Sequence, residues 1–208
     1  MYPKGDFSVN AQYAIAWTYL ENKDYSLSTE EFKKLMNLYP ESKFIEEAQF
    51  RVGKNYYLSG DKTMAKTELG KFINSFANSS FRIEAMYLLS QIYLQEEDWM
   101  DSIINLNRLV REYPDNLFLS EALYGLCLSY FKKDEYEKAI QTGEQYLKDY
   151  PSLEYSDDIL YIKAICWEKL ENQEKAIYDY KNLISTYPQS PYAGKSQERV
   201  EVLQKINE

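Results

Sequence analysis

An aromatic residue recurs every 37 positions along the chain, at Tyr2, Tyr39, Phe76, Tyr113, Tyr150 and Tyr187. Proline follows it at Pro3, Pro40, Pro114, Pro151 and Pro188, and Ala77 takes that place once. A fixed period of about 20–50 residues marks a repeat array, whose units bury their apolar faces only by stacking on neighbours. The period divides the chain into 2–38, 39–75, 76–112, 113–149 and 150–186, with a tail over 187–208.

Further columns hold one residue type each. A second aromatic lies at Phe7, Phe44, Phe81, Phe118, Tyr155 and Tyr192. Alanine follows at Ala11, Ala48, Ala85 and Ala122, then a ring at Tyr13, Phe50, Tyr87, Tyr124 and Tyr161. Another ring stands at Tyr19, Tyr56, Tyr93, Tyr130 and Trp167. Each unit reads as two helices. The first covers a stretch such as Phe118 to Phe131, and Ser42, Ser79, Asn116 and Ser190 are expected to cap its start. Polar turns follow, including Asn22-Lys23-Asp24, Ser59-Gly60-Asp61 and Asp134-Glu135. The second helix carries apolar residues at 3–4 spacing, as Ala139, Ile140, Tyr146 and Leu147 do. Proline lacks an N–H and disfavours helical geometry in the residue before it, so each Tyr-Pro step ends a unit. Small residues at Ala16, Gly53, Ser90, Cys127 and Ala164, and at Ser28, Ala65, Ser102, Ala139 and Ala176, let the two helices approach. The more polar run Tyr192 to Ile206 is expected to form a capping helix. Met1 is followed at once by a boundary step, so native residues are expected before it.

Composition excludes several chemistries. The 208 residues contain no histidine, which removes the commonest general base and metal ligand. Cys127 and Cys166 lie in apolar stretches without metal-ligand spacing, and read as buried thiols. No phosphate loop, nucleophile elbow or zinc-protease motif occurs. No catalytic residue, metal or cofactor is therefore expected. A net charge of −9 argues against nucleic-acid partners. No apolar run approaches about 18 residues, so no membrane span is expected.

These columns resemble the tetratricopeptide repeat (TPR). Leu126-Cys127-x-x-Tyr130 and Val52-Gly53-x-x-Tyr56 stand where the family has Leu-Gly-x-x-Tyr. The second-helix alanine is Ala65, Ala139 and Ala176. The first-helix tryptophan of the family is absent, with Gln12, Gln49, Met86, Leu123 and Leu160 in its place. The resemblance implies an all-α, right-handed superhelix of five hairpins plus a capping helix, in one domain. Its period of 37 rather than the common 34 is similar to bacterial envelope TPR proteins, of the BamD type of outer-membrane assembly lipoprotein or the Tol-Pal-associated periplasmic type.

The resemblance also implies a concave groove lined by first helices. Carried over singly, its residues are Tyr13, Trp17 and Leu20; Phe50, Lys54 and Tyr57; Tyr87, Gln91 and Leu94; Tyr124, Leu128 and Phe131; and Tyr161, Ile165 and Glu168. Such a surface suits a partner helix or extended peptide. Packing between repeats is the other use for the ring ladder. Glu47, Glu84, Glu121 and Asp158 would make one groove edge acidic, or would serve their helix N-termini. The carboxylate clamp of chaperone-binding TPR domains is not expected, since only Arg51 and Lys54 are basic there.

The expected function is a non-enzymatic scaffold that binds protein or peptide partners in bacterial envelope assembly, periplasmic or anchored to the outer membrane. A Tol-Pal adaptor, a self-associating scaffold and an accessory domain of a larger cytoplasmic protein remain alternatives.

Overall fold

The computed structural model describes residues 6–151 and 154–205, and within them finds helices joined by short turns. The helices are α1 (Asp6–Glu21), α2 (Tyr25–Leu38), α3 (Ile45–Ser59), α4 (Lys62–Ser75), α5 (Arg82–Gln95), α6 (Trp99–Glu112), α7 (Leu119–Lys132), α8 (Tyr136–Asp149), α9 (Ser156–Lys169), α10 (Gln173–Thr186) and α11 (Ala193–Lys205). They group into two compact units, 1–95 and 96–208, so the third repeat places α5 in the first and α6 in the second. The boundary step Tyr2-Pro3 and the helix end at Ile206 lie outside the described residues. None of the described helices is long and apolar enough to cross a membrane.

Each second helix ends where its aromatic-proline or aromatic-alanine step begins. Tyr39, Phe76, Tyr113, Tyr150 and Tyr187 are the C-caps, each donating its N–H to the carbonyl four residues back. In the second unit the Tyr187 hydroxyl donates to the Pro151 carbonyl at 2.7 Å, tying one boundary to the preceding one.

The turn inside each hairpin uses a left-handed residue at one column. Lys23, Gly60, Glu97, Asp134 and Glu171 have φ of 62°, 84°, 57°, 58° and 59°. Only Gly60 takes that conformation without a Cβ penalty. The expected first-helix caps are displaced. Ser42, Ser79, Asn116 and Ser190 each accept from the N–H two residues on, at 3.2, 3.1, 2.7 and 3.2 Å. They close a turn before the helix, and the ring that follows, as at Phe44 and Phe118, occupies the N-cap itself.

In the first unit Ala16, Phe32, Leu35, Ala48 and Val52 form one buried cluster across α1, α2 and α3. In the second, Ala164, Ala176, Tyr180, Val200 and Leu203 join α9, α10 and α11. Burial of each large side chain contributes about 1.5–3 kcal/mol. The small column works as close contact: a Cβ on Gly53 would come 2.9 Å from Leu69 Cδ2. Cys127 belongs to the same column and donates its thiol to the Ala139 carbonyl at 3.2 Å.

Candidate functional site

The first helices carry every residue that the sequence nominates for partner binding. The ring columns face each other between successive repeats. In the first unit, Tyr13 of α1 stacks on Phe44 at 4.1 Å, and Phe50 of α3 on Phe81 at 4.9 Å. In the second, Tyr124 of α7 stacks on Tyr155 at 4.2 Å, and Tyr161 of α9 on Tyr192 at 4.4 Å. Phe50 is fully buried, whereas Tyr13, Tyr87, Tyr124 and Tyr161 are half-buried. Burial, with Asp158 adding to it, pushes the Tyr124 hydroxyl up to about 12.

Four acidic residues proposed for the groove edge lie in the first turns of α3, α5, α7 and α9, where the helix dipole favours negative charge. They also accept local contacts. Glu47 takes the Tyr13 hydroxyl at 2.7 Å and Arg51 at 2.9 Å. Glu84 pairs with Lys54 at 2.5 Å. Glu121 accepts from Ser120 at 2.7 Å, and Asp158 from Tyr192 at 2.7 Å. Burial raises the Asp158 carboxyl against that hydrogen bond. Two of the acceptors, Glu47 and Asp158, thus join the stacked rings of adjacent repeats.

Beside these ladders stand the remaining side chains that the sequence nominates. In the first unit Trp17, Lys54, Tyr57 and Leu94 are half-buried, and the Arg51 guanidinium lies 4.5 Å over the Trp17 ring. In the second unit Leu128, Phe131 and Ile165 are half-buried. Val202 of α11 stands 37 residues beyond Ile165 and is 45% exposed, so it extends the column of Leu128 and Ile165 into the last helix. The polar character of α11 hid it from sequence reading, although the period alone would have placed it. Sequence reading also left out Arg199, which bonds Glu168 through Nε at 3.1 Å. The Cys166 thiol is pushed up by burial to about 12, and both cysteines are buried and free. Among the described residues no cluster of acidic, cysteine or histidine side chains could hold a metal ion.

The family described as "YfiO: Outer membrane lipoprotein" matches residues 5–95 and again 83–206. No curated protein matches the sequence. Solved structures share its fold. A MamA protein superposes with a TM-score of 0.67 and 21% identity, over 85% of this chain and 90% of that one. YrrB, titled a TPR protein with an unusual peptide-binding site, gives 0.71 and 16%, over 90% of each chain. A tetratricopeptide repeat protein from Parabacteroides merdae ATCC 43184 gives 0.71 and 16%, over 96% of this chain and 75% of that one. The fold is that of the tetratricopeptide repeat.

Proposed function

Because the chain belongs to the YfiO family of outer membrane lipoproteins, we propose that it is a non-enzymatic scaffold of the bacterial envelope. It takes a partner helix or extended peptide on its first-helix face during outer-membrane protein assembly. The family supports the envelope placement, either periplasmic or anchored to the outer membrane. One observation carries the binding site: Leu128, Ile165 and Val202 form an apolar column, half-buried at the first two and exposed at the third, beside two stacked ring pairs. Stacking fixes the spacing of α7, α9 and α11, so a partner meets preorganised anchors and little ordering entropy opposes binding. Apolar anchors spaced along such a face are how helix- and peptide-binding grooves gain affinity.

Photocrosslinking in the source cells tests this. A benzophenone side chain would replace Leu128 or Ile165, with Ile104 on the exposed face of α6 as the comparison site. Crosslinks from positions 128 and 165 to an outer-membrane assembly protein, and none from 104, are the expected result. Adducts confined to position 104 would move recognition to the second helices. Recovery of the chain outside the envelope fraction would overturn the placement.

A further inference from the structure

The charges on the first-helix face differ between the two units. In the first unit Arg51 neutralises Glu47, and Lys54 neutralises Glu84. In the second, Glu121 and Asp158 hold the same column and accept from the neutral hydroxyls of Ser120 and Tyr192. The far ends of the helices differ too. α7 and α9 carry the exposed Lys132 and Lys169 in their last turns, and α1, α3 and α5 have no basic residue there. Glu21, Leu58 and Gln95 occupy that column instead. Glu121, Asp158, Lys132 and Lys169 form no ion pair among the described residues. The helix dipole acts on every first helix alike, so it does not explain why α1, α3 and α5 lack the lysines.

Between these two rims stand Leu128 and Ile165. Residues 121, 128 and 132 fall on one face of α7, because positions seven and eleven apart nearly coincide in angle on a helix. Residues 158, 165 and 169 do the same on α9. Glu168 shares that face, and Arg199 holds it. In the first unit the column of Leu128 holds Trp17, beneath Arg51, and the ion-paired Lys54. The apolar strip between charged rims thus belongs to α7 and α9. Eleven residues of helix span about 16 Å, which admits one helix about 10–12 Å across.

We propose that the helix bound by this face carries an apolar stripe with unlike flanks: lysine or arginine on the side that meets Glu121 and Asp158, and aspartate or glutamate on the side that meets Lys132 and Lys169. The proposal rests on the Leu128–Ile165 column as a binding surface and adds the partner's charge pattern. The partner helix lies across α7 and α9. Packed neighbours are about 8–10 Å apart, and seven residues of helix rise about 10.5 Å, so apolar residues seven apart reach both anchors. Reversing such a helix exchanges its flanks. Only one direction pairs opposite charges, so the two rims also orient the partner.

The probes are four labelled peptides with leucine at every seventh position. They differ in the residues three and four after each leucine, which lie on opposite sides of the stripe. These are glutamate and lysine, two lysines, two glutamates, or two glutamines, and a lactam on the far side holds each peptide helical. Fluorescence anisotropy against the whole chain reads the affinities. The wild type should bind the mixed peptide more tightly than the two-glutamate peptide. Lys132→Glu with Lys169→Glu should weaken the mixed peptide by about tenfold and tighten the two-lysine peptide. A control of equal net charge, Lys148→Glu with Lys181→Glu at exposed positions of α8 and α10, should leave the ratio of those two affinities as in wild type. Circular dichroism checks the fold of both variants. The glutamine peptide reads the apolar column alone and should bind all three proteins alike. If it binds, and the rim and control variants change the ratio equally, the charge pattern is overturned and the apolar column stands. If no peptide binds saturably, both fall. Self-association of the chain that the mixed peptide competes away would make the occupant a second copy, and also overturns the proposal.

Discussion

Tyr13 lies flat on Phe44, with ring centroids 4.1 Å apart and planes 15° from parallel. The pairing recurs 31 residues apart in Phe50–Phe81, Tyr124–Tyr155 and Tyr161–Tyr192, at 14°, 8° and 14°. A ring of one first helix thus sets the distance to the next. Offset stacking adds to the area that the rings bury, so the contact holds helices in register as well as excluding water.

Tyr161 separates these contributions. Its hydroxyl has no hydrogen-bond partner among the described residues, so Tyr161→Phe should leave stability within about 0.5 kcal/mol of wild type. Tyr161→Leu keeps an apolar side chain and loses the stack on Tyr192, and should cost about 1–2 kcal/mol. Urea unfolding followed by circular dichroism measures both. Equal losses for the two variants would assign the effect to the hydroxyl instead of the ring.

Much of this was legible in the sequence. The period placed the boundaries: α2, α6, α8 and α10 end where proline cannot continue them, and α4 ends at the equivalent Phe76 although alanine follows it. The two ring columns were equally visible, but periodicity shows which positions are equivalent and not which columns touch. The stack of Tyr124 on Tyr155 therefore needed coordinates. Capping failed as an expectation at Ser42 and Asn116 because a side chain that caps and one that closes a turn two residues earlier are the same residue types. The partner site is the least legible part. For Glu47 and Glu84 the sequence offered a groove edge or service at their helix N-termini, and only their geometry reveals Tyr13, Arg51 and Lys54 upon them.

The left-handed turn column offers a stability test. Glu171 holds φ of 59° with a Cβ, and Gly60 holds 84° without one. A side chain there costs roughly 1–2 kcal/mol, less the greater freedom that glycine has in the unfolded chain. Glu171→Gly should stabilise by about 0.5–1 kcal/mol, and Gly60→Ala should destabilise by about 1 kcal/mol. No atom lies within 4 Å of a Cβ built on Gly60, so crowding would not explain a loss. Thermal melts of the two variants should move in opposite directions, and a shift in the same direction would refute the conformational account.

Glu168 should make the α9–α11 joint sensitive to acid. Burial alone would raise its carboxyl, but hydrogen bonds from Arg199 and Tyr180 outweigh burial and hold it below its ordinary value. The Tyr180 hydroxyl donates at 2.6 Å. A depressed carboxylate pKa contributes stability above the unfolded value and loses it as pH falls through the folded value. Glu168→Gln should therefore melt below wild type at pH 7, with the gap closing as pH falls below roughly 4. A gap that stays constant down to that pH would show that the pair acts by shape alone.

Lys163 stands in a column otherwise held by Ile15, Val52, Leu89, Leu126 and Val200, and it is only 8% exposed. Two neighbours admit it. Gly143 replaces the Phe32, Leu69, Leu106 and Tyr180 of its own column, and a Cβ there would come 3.1 Å from Lys163 Cγ. Asp179, 3% exposed, places Oδ2 3.5 Å from Lys163 Nζ. Burial pushes the Asp179 carboxyl up, against the pull of the ammonium. Its ionised form is thus less favoured in the native state, and that contribution to stability falls as pH rises from about 3.9 through the folded value. Removing one partner strands the other, so Asp179→Ala should cost about 3 kcal/mol at pH 7. Replacing both, as Lys163→Leu with Asp179→Leu, restores the aliphatic column and should come within about 1 kcal/mol of wild type or exceed it. A double variant as weak as Asp179→Ala would mean that the ion pair itself holds α9 against α10, and that the apolar column cannot replace it.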